Sequence, residues 1–201
     1  MLLDADDSQL LLVDFQARLM PAIFDVESVL GNARRLGQMA RLLRVPTWGT
    51  EQNPERLGES DPELRALCDR TISKMEFSAC GQELTELLRS PARRVGGNAR
   101  SLPKHLQKAA LAEQEERSTI VIAGCEAHVC LLQTALGLLE QEFDVWVVTD
   151  ACGSRTERNR DAAFDRLVNA GCELVTTEMV GFEWLGTAEH PAFKQFQALI
   201  K

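Results

Sequence analysis

A chain of 201 residues is the size of one domain, and 45% hydrophobic against 26% charged residues excludes a disordered chain. With 22 basic and 30 acidic residues the net charge is −8, which works against nucleic acid and anionic membranes as partners over most of the surface. No uninterrupted apolar run approaches the roughly 20 residues that a bilayer crossing needs. The acidic start, Met1 to Asp7, lacks the basic region of a signal peptide, so the expected compartment is the cytoplasm. The six cysteines, Cys68, Cys80, Cys125, Cys130, Cys152 and Cys172, are therefore expected as reduced thiols, each either core filling or chemistry.

In chain order, Leu10 to Val13 is a short continuous apolar run, the pattern of a strand buried on both faces, and it stops at Asp14. Val29, Ala33, Leu36, Ala40 and Leu43 recur at helical spacing, and Val45 to Trp48 returns to an extended pattern. Thr71 to Ser73 reads as a third short strand. Ser118 to Ala123 leads as a fourth into Gly124, and Asp144 to Thr149 as a fifth into Asp150. A helix is predicted from Leu131 to Leu139. Another runs through Ala163, Leu167 and Ala170 and closes at Gly171, before a sixth strand over Cys172 to Thr176. A final helix is expected with Pro191 at its first position and Phe193, Phe196, Leu199 and Ile200 on one face.

Strands alternating with helices imply an α/β fold, a three-layer doubly wound parallel sheet with helices on both faces. One domain over residues 1–201 is expected, interrupted by a surface loop around 90–102 that carries Pro91, Gly96 and Gly97, with a helix following from about Lys104 to Glu116. From Leu87 to Ala112 there are six basic residues and no acidic one. No aromatic residue interleaves with them as stacking on bases would require, so a solvated basic face is the preferred reading.

Ligands of open α/β sheets bind at the carboxyl ends of the strands, near the point where strand order reverses. That rule selects Asp14 after the first strand, Lys74 after the third, and the segment Gly124 to Cys130 after the fourth. A cysteine at a helix N-terminus beside a lysine is expected to have a lowered pKa and a stabilised thiolate. An adjacent carboxylate can take the thiol proton and return it to a leaving group.

The segments Leu11 to Gln16 (LLVDFQ), Lys74 to Ser78 (KMEFS) and Gly124 to Ala135 (GCEAHVCLLQTA) resemble, in order, the three signature segments of the isochorismatase-like cysteine hydrolases. Val148 to Arg155, Thr176 to Glu178 and His190 to Lys194 extend the resemblance to nearly the whole chain, toward the branch of isochorismatase-domain-containing hydrolases. The resemblance implies six parallel strands in the order 3-2-1-4-5-6. It also implies a catalytic triad of Asp14, Lys74 and Cys130, an oxyanion hole formed by the backbone N–H groups of Glu126 and Cys130, and a cis peptide at Cys125–Glu126. A small-molecule substrate with a C–N bond of amide type is expected, attacked by Cys130 to give a thioester. Gln16, Leu19, Trp48 and Phe77 are the expected substrate contacts. A homo-oligomer, dimer or larger, follows from the same resemblance.

Many nicotinamidase relatives hold a metal with Asp and His ligands after the second strand. This chain has Thr50-Glu51-Gln52-Asn53-Pro54 there and only scattered histidines, His105, His128 and His190, so neither a metal nor another cofactor is expected. His128, two residues before Cys130, offers a rival base in a Cys–His dyad. Three rival functions stay open: vinyl-ether hydrolysis of isochorismate with Asp14 as the acid, a thiol-regulatory protein, and a catalytically silent interaction protein.

Overall fold

In the computed structural model, which describes residues 1–90 and 117–200, the fully buried run Ser8–Val13 forms β1 at the centre of the sheet. β1 pairs in parallel with β2 (Thr47–Gln52) on one side and with β4 (Thr119–Cys125) on the other. β3 (Arg70–Lys74) extends the first side, and β5 (Asp144–Gly153) with β6 (Glu173–Val175) the second. All pairings are parallel and the order is β3-β2-β1-β4-β5-β6, as expected. The order reverses between β1 and β4, the point at whose carboxyl ends open α/β sheets bind their ligands.

The long amphipathic helix α1 (Val26–Leu43) buries Val29, Ala33, Leu36, Met39 and Ala40. Between β2 and β3 lie two short helices, α2 (Pro54–Leu57) and α3 (Pro62–Leu67). The Asp61 carboxylate caps α3 by accepting from the N–H groups of Glu63 and Leu64, beside a proline whose missing N–H is no loss in a first turn. α4 (Gln82–Arg89) follows β3; α5 (Leu132–Glu140) follows β4; and α6 (Glu157–Ala170) follows β5 and closes at Gly171, whose φ of 108° needs a residue without Cβ. α7 (Thr177–Leu185) and α8 (Phe193–Ile200) complete the chain. α1 packs with α3, α7 and α8 on one face of the sheet, while α5 packs with α6 on the other. No helix among the described residues is long and apolar enough to cross a membrane.

Several elements differ from their sequence-based bounds. β5 continues through Asp150 to Gly153, because the Asp150 carboxylate accepts from the N–H and hydroxyl of Thr177 and so stays in the fold. A register shift after Ile122 keeps the added residues paired, Gly124 with Cys152 and Cys125 with Gly153. The last helix begins at Phe193 and not at Pro191, since His190 Nδ1 accepts from the Ala192 N–H and makes a turn first. α2, α3, α4 and α7 span fewer than three turns each, too little for an apolar period to stand out. The loop expected at 90–102 and the helix expected at 104–116 lie outside the described residues, apart from Ser90.

Gly124 ends the contact between β4 and β1. A Cβ there would meet the Val13 carbonyl oxygen at 2.5 Å and Val13 Cβ at 2.6 Å, so the two strands approach this closely only because the position is glycine. Replacing Gly124 by Ala is expected to destabilise the protein by about 2 kcal/mol, read as a lowered urea midpoint at unchanged m.

Five cysteines other than Cys130 fill the interior or its margin. Burial pushes the thiols of Cys68 and Cys152 up to about 12 and that of Cys172 to about 11, and raises those of Cys80 and Cys125 as well. A thiol raised in the folded state stays neutral where the unfolded chain already ionises, so its contribution to stability is full below the unfolded pKa and declines above it. Stability is therefore expected to fall as pH rises beyond about 9, which urea unfolding between pH 7 and pH 10.5 measures.

Candidate active site

Asp14 leaves the sheet one residue past β1, at φ 53°. This left-handed conformation is one that aspartate tolerates better than most side chains, and it turns the residue out of the strand's alternation. Its carboxylate has no solvent exposure. Both oxygens are engaged: Oδ2 accepts from Lys74 Nζ at 2.7 Å, and Oδ1 accepts from Thr50 Oγ1 at 2.7 Å.

Lys74 ends β3, two strands away from β1. Register places it beside Gln52 of β2, and its side chain, 7% exposed, reaches back over the strand ends to Asp14. The remaining ammonium protons have acceptors in the carbonyls of Phe77 at 3.0 Å and Glu76 at 3.3 Å. A lysine buried this far is supported by an opposite charge and by hydrogen bonds that replace its hydration.

After β4 the backbone passes through a cis peptide at Cys125–Glu126, as the resemblance implies, into a π turn over Ala127–Leu131, closed by the Leu131 N–H donating to the Glu126 carbonyl at 3.3 Å. Cys130 lies in this turn, just ahead of α5, and is 4% exposed. It lies close enough to Asp14 and Lys74 for both charges to act on its thiol. The fold thus brings Asp14, Lys74 and Cys130 from three strand ends to one place.

The expectation of a stabilised thiolate is corrected. Burial pushes the Cys130 thiol up to about 12; the negative charge of Asp14 raises it further, and the positive charge of Lys74 offsets only part. Because Lys74 is already paired with Asp14, the pair presents sulfur with little net positive field. Burial and the charge of Asp14 thus favour the neutral thiol over the thiolate.

Glu126 directs its carboxylate to Arg155 Nε at the rim. His128 faces away from a dyad role: Nδ1 lies 3.0 Å from Ser154 Oγ, and Nε2 lies 3.5 Å from Asn159 Nδ2. Of the expected substrate contacts, Leu19 is half-buried at the turn after β1, and Phe77, half exposed, follows Lys74. Gln16 and Trp48 are placed otherwise. Gln16 is fully buried and its amide braces the chain after β2, donating to the carbonyls of Gln52 and Gly58 and accepting from the Gln52 N–H. Trp48 sits near the amino end of β2, where its indole N–H donates to Gln9 Oε1 at 2.9 Å. Glu51 accepts from the Ser60 N–H at 2.8 Å, and among the described residues no group of three or more His, Cys, Asp or Glu side chains is arranged to hold a metal. Thr50 is the site residue that sequence reasoning passed over. Its signal was available only through topology, since it becomes the neighbour of Val13 once β2 is paired with β1.

A model of the isochorismatase domain matches residues 106–179. The chain is 34% identical over 198 residues to isochorismatase domain-containing protein 2 of Danio rerio, covering 98% of this chain and 89% of the relative. Among solved structures it is similar to one described as MAR1 ribonuclease from Caenorhabditis elegans, with TM-score 0.83 and 30% identity over 100% of this chain and 92% of the other. It is also similar to YcaC from Pseudomonas aeruginosa, described with hexane-2,5-diol and covalent acrylamide, with TM-score 0.77 and 27% identity over 99% and 90%. Strand order and similarity along nearly the full length agree: the chain belongs to the isochorismatase-like hydrolase family.

Proposed function

We propose that the chain is a cysteine hydrolase that cleaves a C–N bond of amide type in a small molecule through a thioester on Cys130. The observation that carries this reading is the buried Asp14 carboxylate, held on both oxygens by Lys74 and Thr50, with the Cys130 thiol near enough to feel the charges of Asp14 and Lys74. A thiol that is neutral at rest needs a base at the moment of attack, and Asp14 is the carboxylate whose charge reaches it most strongly.

In the proposed sequence, Cys130 Sγ attacks the carbonyl carbon while Asp14 takes the thiol proton. Charge collects on the carbonyl oxygen, and the backbone N–H groups of Glu126 and Cys130 are assigned to receive it. Asp14 then passes its proton to the departing nitrogen, the C–N bond breaks and an acyl thioester remains. Water adds to the thioester with Asp14 again as base; the C–S bond breaks, the acid leaves and the thiol regains its proton. Lys74 remains charged throughout and keeps Asp14 in place. Leu19 and Phe77 are assigned as the apolar contacts for the rest of the substrate, Leu19 half-buried after β1 and Phe77 exposed after Lys74.

Within the family the rival chemistry is protonation of a vinyl ether by Asp14, in which sulfur takes no part. Cys130→Ala separates the two. Assayed on a panel of primary amides, carbamoyl compounds, isochorismate and, given the description of one structural relative, RNA, the wild type is expected to turn over an amide or carbamoyl compound. The variant is expected to lose that turnover by about a thousandfold or more. Mass spectrometry of the quenched wild-type reaction should show the acyl adduct on the peptide carrying Cys130. Full turnover by the variant would sink the nucleophile model and leave the vinyl-ether chemistry standing.

A further inference from the structure

Asp14 is gripped on both carboxylate oxygens, and the two grips are chemically different. Oδ2 takes a charged donor from the far strand β3, and Oδ1 takes the neutral hydroxyl of Thr50 from the adjacent strand β2. Thr50 also anchors the backbone of the same residue, since the Asp14 N–H donates to the Thr50 carbonyl at 3.1 Å. Thr50 is 1% exposed and Asp14 is fully buried, so water is not at hand to replace the hydroxyl if it is removed.

We propose that Thr50 is a positioning residue for the reaction: its hydroxyl fixes the plane of the Asp14 carboxylate so that the carboxylate meets the Cys130 thiol. The proposal rests on the cysteine-hydrolase reading above. With Lys74 as the sole donor the carboxylate can pivot about its Cβ–Cγ bond and remain ion-paired. With Thr50 on the second oxygen that rotation breaks a hydrogen bond to a charged acceptor inside the protein, the stronger kind. Thr50 therefore governs where the base points, and Lys74 governs that the base is charged and present. Thr50 neither gives up nor accepts a proton overall. Its hydroxyl proton stays on Oγ1 while the thiol proton moves to Asp14 and on to the leaving group.

The test uses the full chain with Thr50→Val, which keeps the shape and removes the hydroxyl, and Thr50→Ser, which keeps the hydroxyl and removes the methyl. The first readout is alkylation of Cys130 by acrylamide, followed by peptide mass between pH 6.5 and pH 9. The wild-type rate is expected to vary by less than about threefold over this range, because the proton passes to Asp14 and not to hydroxide. Thr50→Val is expected to react about tenfold to a hundredfold more slowly at pH 7 and to climb with pH; Thr50→Ser is expected to stay within about threefold of wild type with the same flat profile. On the amide found by the panel, Thr50→Val should lower kcat by a similar factor with KM within about threefold. A Thr50→Val profile that superimposes on wild type overturns the proposal. So does a Thr50→Ser that is as slow as Thr50→Val, or as slow as expected of Thr50→Val should that variant not fold, since the methyl and not the hydroxyl would then matter. Loss of the cysteine-hydrolase reading is distinguishable: there Cys130→Ala keeps turnover, whatever the Thr50 variants do.

Discussion

A carboxylate with no access to water has to be held by the protein, and the ion pair between Asp14 and Lys74 is the constraint around which the rest of this site is arranged. Removing either partner would leave the other charge buried and uncompensated, the costly half of a buried salt bridge. The pair also crosses the sheet: Asp14 follows β1, Lys74 ends β3, and β2 lies between them. Lys74 can span β2 only because β3 stops where its last residue overhangs Gln52, and because the carbonyls of Glu76 and Phe77 complete its hydration shell. The bend after β3 is thus part of the site and not merely a connection to α4.

The same pair bears on the Cys130 thiol. A free lysine beside a cysteine would draw its proton off, but a lysine already neutralised by a carboxylate does so weakly, and burial acts in the opposite direction. The outcome is a thiol that is quiet at rest. Of the other five cysteines, Cys125, Cys152 and Cys172 are buried and Cys68 and Cys80 half-buried; Cys130 is the one whose thiol feels the charges of both Asp14 and Lys74.

Sequence patterning locates most of the sheet. Continuous apolar runs such as Leu10–Val13 and Ile120–Ala123 have no stable place other than a strand covered on both faces, and the alternation with helices then restricts the topology. The carboxyl-end rule, together with the family resemblance, places Asp14, Lys74 and Cys130 in one region before any coordinates. Two of the expected substrate contacts take other partners. Gln16 and Trp48 are near the motifs in sequence, yet one turns its amide to the backbone and the other lies toward the amino end of its strand. Proximity in sequence says little about which way a side chain points when a single residue reverses its direction along a strand.

Residue type and order along the chain suffice for the strands, for the three chemical groups and for their common edge, because burial patterns and strand-end geometry are local or topological properties. Which partner each group takes is decided by the assembled sheet alone. The hydroxyl of Thr50 reaches Asp14 only because β2 lies beside β1 in the register that sets Thr50 opposite Val13. The protonation state of Cys130 depends on its burial and on the prior pairing of Lys74, and both are quantities of three-dimensional distance that no spacing along the chain contains.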